Sequence, residues 1–166
     1  KGGVGFTKTG GNYAASLLAG DIAEKKGYEQ VLWLDGKENK YIEEVGSMNM
    51  FCKFKDALVT PPLLGSILGG ITRDSITKLA KYKNIPVDER RITVQDVFDA
   101  ADNGTLEEAF GSGTAAVVSP VGRLAWNNRE ITISGGNIGT LTQDFYDTLT
   151  GIQYGEREDP FGWVVK

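Results

Sequence analysis

The sequence predicts one domain of mixed α/β (α+β) structure, in which short strands alternate with helices. Three observations predict it: β-rich apolar runs concentrated in residues 31–60, helical periodicity in the last third, and the lack of any repeat or linker. The 166 residues are 40% hydrophobic and 24% charged. A chain of this size buries roughly two thirds of its unfolded surface, enough for one hydrophobic core.

The first half is predicted to hold one helix and then a group of strands. Asn12 is expected to cap a helix over residues 13–26, and Gly27 is expected to end it. Runs of apolar and β-branched residues predict strands at 31–36, 41–46, 48–54 and 58–60. Pro61 and Pro62 then favour extended chain.

The second half is predicted to alternate between the two structures. Thr72 is a candidate N-cap for a helix over residues 73–83, and residues 94–101 form a second helix. Strands are predicted at 85–92, 114–121 and 130–134, with a turn at 126–129, whereas 106–110 is ambiguous. A closing helix is indicated by apolar residues at steps of 3, 4, 4 and 3: Ile138, Leu141, Phe145, Leu149 and Ile152.

Composition excludes several classes of function. The net charge of −4 argues against nucleic acid or an anionic membrane as the main partner, and no apolar run is long enough to span a membrane. The single cysteine, Cys52, favours a reducing cytoplasmic setting. Because the chain has no histidine, we expect no metal site, and acid–base work falls to Lys, Glu, Asp or Tyr.

The polar residues that carry chemistry lie in KTGGNY (residues 8–13) and EVGSMNMF (residues 44–51). Lys8 lies among glycines, which allow close approach of a ligand, although a lone lysine is more often a solvated surface group. Tyr13 is equally readable as a core aromatic. Glu43 and Glu44 alternate along a strand, so only one should point inward. An amine, a phenol and a carboxylate are the groups that a pyridoxal phosphate (PLP) site needs.

Two glycine segments are candidates for holding a phosphate. Gly69-Gly70-Ile71-Thr72 leads into a predicted helix, whose N-terminus attracts anions, and residues 111–114 (GSGT) form a second, nest-like candidate. Either is as readily an ordinary turn. The glycines of residues 111–116 do not fit a dinucleotide site because strand-forming residues follow them. A nucleotide-binding ATPase, suggested by KGGVGFTKT at the start, remains the alternative from another class.

Nearly the whole sequence resembles the branched-chain aminotransferase family, a fold-type-IV group of PLP enzymes. The resemblance is carried by GFTKTGGNYAASL, VLWLDG, YIEEVGSMNMF, GSILGGITRDS, GTLEEAFGSGTAAVVSPVG and IQYGEREDPFGW. It implies a β-barrel-like mixed sheet surrounded by helices, with residues 1–166 forming the carboxy-terminal, PLP-binding domain. The sequence starts without methionine, and we expect it to be cut from a longer protein whose smaller amino-terminal domain is absent.

By matching position, the resemblance implies a role for each site residue. Lys8 would form the aldimine with the cofactor and shuttle the proton, Tyr13 would bond the phenolic oxygen, and Glu44 would meet the ring nitrogen. Cofactor contacts would come from Leu68 on the ring and from Ile71, Thr72 and Thr114 at the phosphate. Substrate would be bordered by Ser47, Met48, Thr114 and Ala115.

The implied reaction is reversible transfer of the amino group of leucine, isoleucine or valine to 2-oxoglutarate, in a homodimer. D-amino-acid transaminase and aminodeoxychorismate lyase share the same fold and remain alternatives. A third alternative is that this fragment folds but is inactive because it lacks half of its site. Three positions depart from the family: Gly69 replaces a proline, and Ala116 and Ser119 stand where some relatives carry a redox-sensitive cysteine pair.

Overall fold

The computed structural model describes residues 2–165, and every structural statement below concerns that part of the chain. Mixed α/β structure is confirmed. The helices are α1 (Gly10–Lys25), α2 (Ile71–Tyr82), α3 (Val94–Asp102) and α4 (Thr140–Gln153), with a short 3-10 helix at Ser134–Gly136. The strands are β1 (Leu32–Leu34), β2 (Ile42–Val45), β3 (Met48–Phe54), β4 (Leu58–Thr60), β5 (Val87–Glu89), β6 (Leu106–Gly113), β7 (Val117–Pro120), β8 (Arg123–Trp126) and β9 (Arg129–Thr132).

The main sheet is organised around β3. Along one edge β3 pairs with β6, which pairs in turn with β7. The other edge is shared: β2 pairs with the start of β3 through Asn49, and β4 pairs with its end through Cys52. All pairs are antiparallel except β4–β5. Within residues 2–165 the sheet stays open at β1, β5 and β7, so the barrel-like core is a curved mixed sheet here.

Apolar side chains cover both faces of this sheet. On one face Met50, Cys52 and Phe54 pack with residues of α3 and the β8–β9 hairpin. On the other face Phe51 stacks on Phe110 at a ring-centroid distance of 5.1 Å, within a cluster that includes residues of α2 and α4. Successive side chains of a strand point to opposite faces, so β3 contributes to both apolar clusters.

Several predicted elements differ from those in the structure. Helix α2 begins at Ile71 with Gly70 as its N-cap, so Thr72 lies inside the helix and does not cap it. Strand β8 was missed; it forms a hairpin with β9 through Asn127 and Asn128, which both have positive φ, as tight hairpin turns require. The predicted strand 85–92 shortens to β5 because only three residues pair with β4.

Helix α1 differs from its prediction in burial. It begins at Gly10 with Thr9 as N-cap, so Asn12 lies in its first turn rather than capping it. None of its residues is buried, and Leu18 is 71% exposed and Leu17 67% exposed. Apolar side chains of α1 are therefore uncovered in this chain.

Glu108 provides a stability prediction for the fold. This buried carboxylate accepts hydrogen bonds from the backbone N–H groups of Leu141 and Thr142 at 2.9 and 2.8 Å, and so caps α4. We expect Glu108→Ala to lower the free energy of unfolding by about 1–3 kcal/mol, because buried donors lose their acceptor. Urea titration would measure it. The exposed neighbour Glu107→Ala is the control, and an equal loss there would contradict the assignment.

Candidate functional site

Four of the predicted site residues border one cavity. The cavity is about 420 Å³ and lies between the first turns of α1, strands β1 and β2, and the loop before α2. Its walls include Tyr13, Glu44, Ser47 and Leu68. Residues far apart in the sequence therefore converge as the proposed chemistry requires.

The two neighbouring glutamates both border this cavity, which corrects the expectation that only one points inward. Leu34 pairs with Ile42 but Trp33 pairs with Glu44, so Glu43 is an extra residue in a β-bulge. The bulge cancels the alternation, and the Glu43 carboxylate accepts a hydrogen bond from Ser66 Oγ.

Glu44 carries the main electrostatic feature of the site. Burial raises the pKa of its carboxyl to about 7; a hydrogen bond from the Leu68 backbone opposes the rise, and the charge of Glu43 adds to it. Near neutral pH the carboxylate is therefore destabilised by its surroundings. A cationic group in the cavity would relieve that cost, since a buried charge needs a partner of opposite sign.

Lys8 is not among the residues that border the cavity. Its side chain is exposed, whereas Thr7 just before it and Asn12 in the following turn border the cavity. The Asn12 side-chain amide donates to the carbonyls of Val4 and Thr7, both at 3.0 Å, and so ties the glycine-rich segment to α1. A Cβ on Gly5 would lie 2.6 Å from the Ser66 carbonyl oxygen, so glycine is needed for this approach.

The start of α2 presents free backbone donors. Gly70 is the N-cap and provides no side-chain cap for the first turn, where Ile71 is 81% exposed and Thr72 is half-buried. Uncapped N–H groups at a helix N-terminus attract an anion. Leu68 in the cavity wall is three residues before Ile71, but Ile71 and Thr72 do not themselves border the cavity.

The second phosphate candidate has a different structure from the predicted nest. Gly111–Gly113 continue strand β6 and pair with β3 and β7, so their backbone groups are used in the sheet. Only the following turn is free: Thr114 and Ala115 are exposed there. This turn lies beside the substrate candidates, since a Cβ on Gly113 would be 3.2 Å from Met48 Cγ.

Asn49 and Trp33 are site residues that the sequence analysis did not assign. Trp33 Nε1 donates to the Gly46 carbonyl at 3.0 Å and shapes the turn beside the cavity. Asn49 pairs with Glu44 across the β2–β3 hairpin and donates to its carboxylate at 3.3 Å. The two-residue turn Gly46-Ser47 could have revealed this pairing, because it sets the register of the hairpin.

A larger cavity of about 720 Å³ lies between α1, β1 and the β8–β9 hairpin. Its polar wall includes Tyr28, whose hydroxyl donates to Glu130 at 2.5 Å. None of the predicted site residues borders it. We assign the site to the smaller cavity because that one contains the perturbed carboxyl of Glu44.

Residues 7–124 match the family described as amino-transferase class IV. A probable branched-chain-amino-acid aminotransferase of Staphylococcus epidermidis is 58% identical over all of this chain and 46% of its own length. Branched-chain-amino-acid aminotransferase 2 of Bacillus subtilis is 55% identical with the same coverage. The chain thus spans about half the length of these curated relatives.

Solved structures agree with the sequence comparison. The Escherichia coli branched-chain amino acid aminotransferase superposes with a TM-score of 0.80 at 36% identity, over 98% of this chain and 51% of its own. The branched-chain aminotransferase of the thermophilic archaeon Thermoproteus uzoniensis, solved with norvaline, gives 0.79 at 28% identity, over 97% and 49%. Among residues 2–165, no helix is both long and apolar enough to cross a membrane. The chain belongs to the class IV aminotransferase family.

Proposed function

We propose that the protein containing this chain transfers the amino group of L-leucine, L-isoleucine or L-valine to 2-oxoglutarate, with PLP as cofactor. One observation carries the proposal: a desolvated carboxyl at Glu44 shares a cavity with Tyr13 and Leu68, and Thr7, the residue before Lys8, borders the same cavity. The 58% identity to a probable branched-chain-amino-acid aminotransferase supports the substrate class.

The residues present fit this cofactor. A cavity of about 420 Å³ is of the size that holds small ligands. Glu44 offers an anion for a cationic ring nitrogen, Leu68 offers an apolar surface for a ring, and the uncapped start of α2 offers donors for a phosphate. PLP, when bound, supplies an aldehyde that reacts with amines and a ring that accepts electrons.

Each polar residue has a defined task in this proposal. Lys8 would hold the cofactor through its amine and would carry a proton to and from the substrate α-carbon, which requires that the amine be neutral when it accepts the proton. Glu44 keeps the ring nitrogen protonated. The Tyr13 hydroxyl donates to the phenolic oxygen, while Ile71, Thr72 and Thr114 hold the phosphate.

Substrate selection is proposed to occur at the β6–β7 turn and the neighbouring β2–β3 turn. Thr114 and Ala115 lie in the β6–β7 turn, whose free amides suit a carboxylate. Ser47 lies in the β2–β3 turn and Met48 follows it, beside the β6–β7 turn. Their position suits a pocket that holds an aliphatic side chain next to the reacting carbon.

We also propose that residues 1–166 are the carboxy-terminal, PLP-binding domain of a longer enzyme, which acts as a cytoplasmic homodimer. The curated relatives have about twice the length of this chain. The exposed apolar residues Leu17, Leu18 and Ile22 of α1 provide a surface for further protein to cover. Such a cover would also desolvate Lys8, which is exposed in this chain.

The substrate class is tested by assaying the full-length protein with 2-oxoglutarate and either L-leucine or D-alanine. We expect rapid glutamate formation from L-leucine and a rate with D-alanine lower by at least about 10²-fold, because pocket contacts set such discrimination. Preference for D-alanine would assign a D-amino-acid transaminase. Pyruvate release from aminodeoxychorismate without amino transfer would assign the lyase.

We expect no thiol switch in this enzyme. Ala116 and Ser119 occupy the positions of the cysteine pair, and Cys52 is fully buried, which raises the pKa of its thiol to about 12 and disfavours the reactive thiolate. Activity should be unchanged after treatment with millimolar hydrogen peroxide and again after reductant. Loss of activity that dithiothreitol restores would contradict this expectation.

A further inference from the structure

We propose that Asn49 is a positioning residue that links the Glu44 carboxylate to the start of α2. Glu44 marks the ring end of the site, where the cofactor ring would lie, and the start of α2 marks the phosphate end. Asn49 would fix the position of one end relative to the other. The inference rests on the proposed function, because it assigns those two ends to one cofactor.

The contacts of Asn49 reach both ends. Its side chain is 5% exposed, and its Nδ2 donates to the Leu68 carbonyl at 2.8 Å and to Glu44 Oε1 at 3.3 Å. Its Oδ1 lies against Gly70, where an added Cβ would overlap with it. The Asn49 amide thus contacts the Glu44 carboxylate, the Leu68 carbonyl and Gly70, the N-cap of α2.

The chemistry of an amide is what this position requires. Two N–H donors on one nitrogen serve two oxygen acceptors, and the amide carries no charge. Aspartate at this position would place a second anion beside Glu44 and face the Leu68 carbonyl with an acceptor. Alanine would leave the Leu68 carbonyl without its buried donor, a loss that raises the energy of the loop before α2.

The contact with Asn49 requires glycine at position 70. Its φ of −68° is accessible to any residue, so backbone conformation does not require glycine. Besides Asn49, the nearest atom to an added Cβ would be the Arg73 Cβ at 3.7 Å, an ordinary contact. The close approach between Asn49 and the N-cap therefore fixes where the first turn of α2 stands relative to Glu44.

The first test is a double-mutant cycle on the full-length apoprotein. Gly70→Ala should lower Tm by roughly 3–6 °C in the wild-type background, because the added methyl displaces Asn49. In an Asn49→Ala background the same change should lower Tm by less than about 1 °C. The control is Gly69→Ala, whose added Cβ would meet only Leu63 at 3.4 Å, and its effect should be equal in both backgrounds.

The second test compares PLP with pyridoxal, which lacks the phosphate. Wild-type protein should prefer PLP, and Asn49→Ala should reduce that preference by at least about 10-fold in the ratio of the two Kd values, since the phosphate end is no longer aligned with the ring end. The substitution does not change the other titratable groups in the cavity wall, which are Glu29, Glu43 and Tyr13. Asn49→Ser replaces Asn49→Ala in both tests should the alanine variant not fold.

An unchanged ratio, or equal destabilisation by Gly70→Ala in both backgrounds, would overturn the role of Asn49. Failure of the proposed function gives a different result, in which wild-type protein binds neither PLP nor pyridoxal. The apoprotein cycle remains informative in that case, because it measures the Asn49–Gly70 contact without any ligand.

Discussion

Replacing Lys8 with alanine is expected to reduce amino transfer by at least about 10³-fold, because the reacting amine and the proton carrier are lost together. The fold should be unaffected, since the Lys8 side chain is exposed. Steady-state rates with L-leucine and 2-oxoglutarate measure the first effect. Thermal unfolding of the apoprotein measures the second.

Lys25→Ala is the matched control for this experiment. Lys25 is also an exposed lysine, and it lies in the last turn of the same helix that Lys8 precedes. We expect wild-type rates for this variant. Retention of more than a tenth of the activity in Lys8→Ala would contradict the assignment of the reacting amine.

Replacing Glu44 with glutamine is expected to have two effects of opposite sign. Activity should fall by about 10²–10³-fold, because a neutral amide does not keep the ring nitrogen protonated. The apoprotein should become more stable at pH 8, by on the order of 2 kcal/mol, because burying the ionised Glu44 is unfavourable.

The pH dependence of that stability follows from the direction of the shift. The pKa of Glu44 is raised from its ordinary value of 4.5 to about 7 in the folded chain. The folded state therefore binds the proton more tightly, and the associated stability is complete below pH 4.5 and lost as the pH rises through 7. Urea titrations should show wild type and Glu44→Gln converging near pH 4.5 and separating towards pH 8.

Glu43→Gln is the control for charge in the same cavity. It removes a repulsive neighbour, so the pKa of Glu44 should fall slightly and the stability curve should keep its shape. A wild-type pH profile for Glu44→Gln would show that Glu44 ionises normally. That result would remove the electrostatic argument for a cationic partner.

The strands were predicted most accurately where their bounds depend on local residue type and on a short turn. Strands β3 and β4 have the predicted bounds because apolar residues dominate both and a two-residue turn separates β2 from β3. Gly46 in that turn has a φ of 57°, a conformation that glycine adopts without strain. The pairing of Glu44 with Asn49 follows from this turn.

Features that depend on distant neighbours could not be predicted. The bulge at Glu43 forms where β1 pairs with β2, and strand propensity carries no information on such a register shift. Helix α2 begins two residues earlier than predicted because Gly70 packs against Asn49, a tertiary contact. The exposed apolar side of α1 likewise depends on what covers it and not on its own periodicity.

The most direct test of the central claim is to locate the cofactor on the chain. Full-length protein is incubated with PLP, reduced with borohydride, digested and analysed by mass spectrometry. Our account predicts one added phosphopyridoxyl group, on Lys8, and loss of this labelling in Lys8→Ala. Labelling of a different lysine, with Lys8 unmodified, would contradict the account.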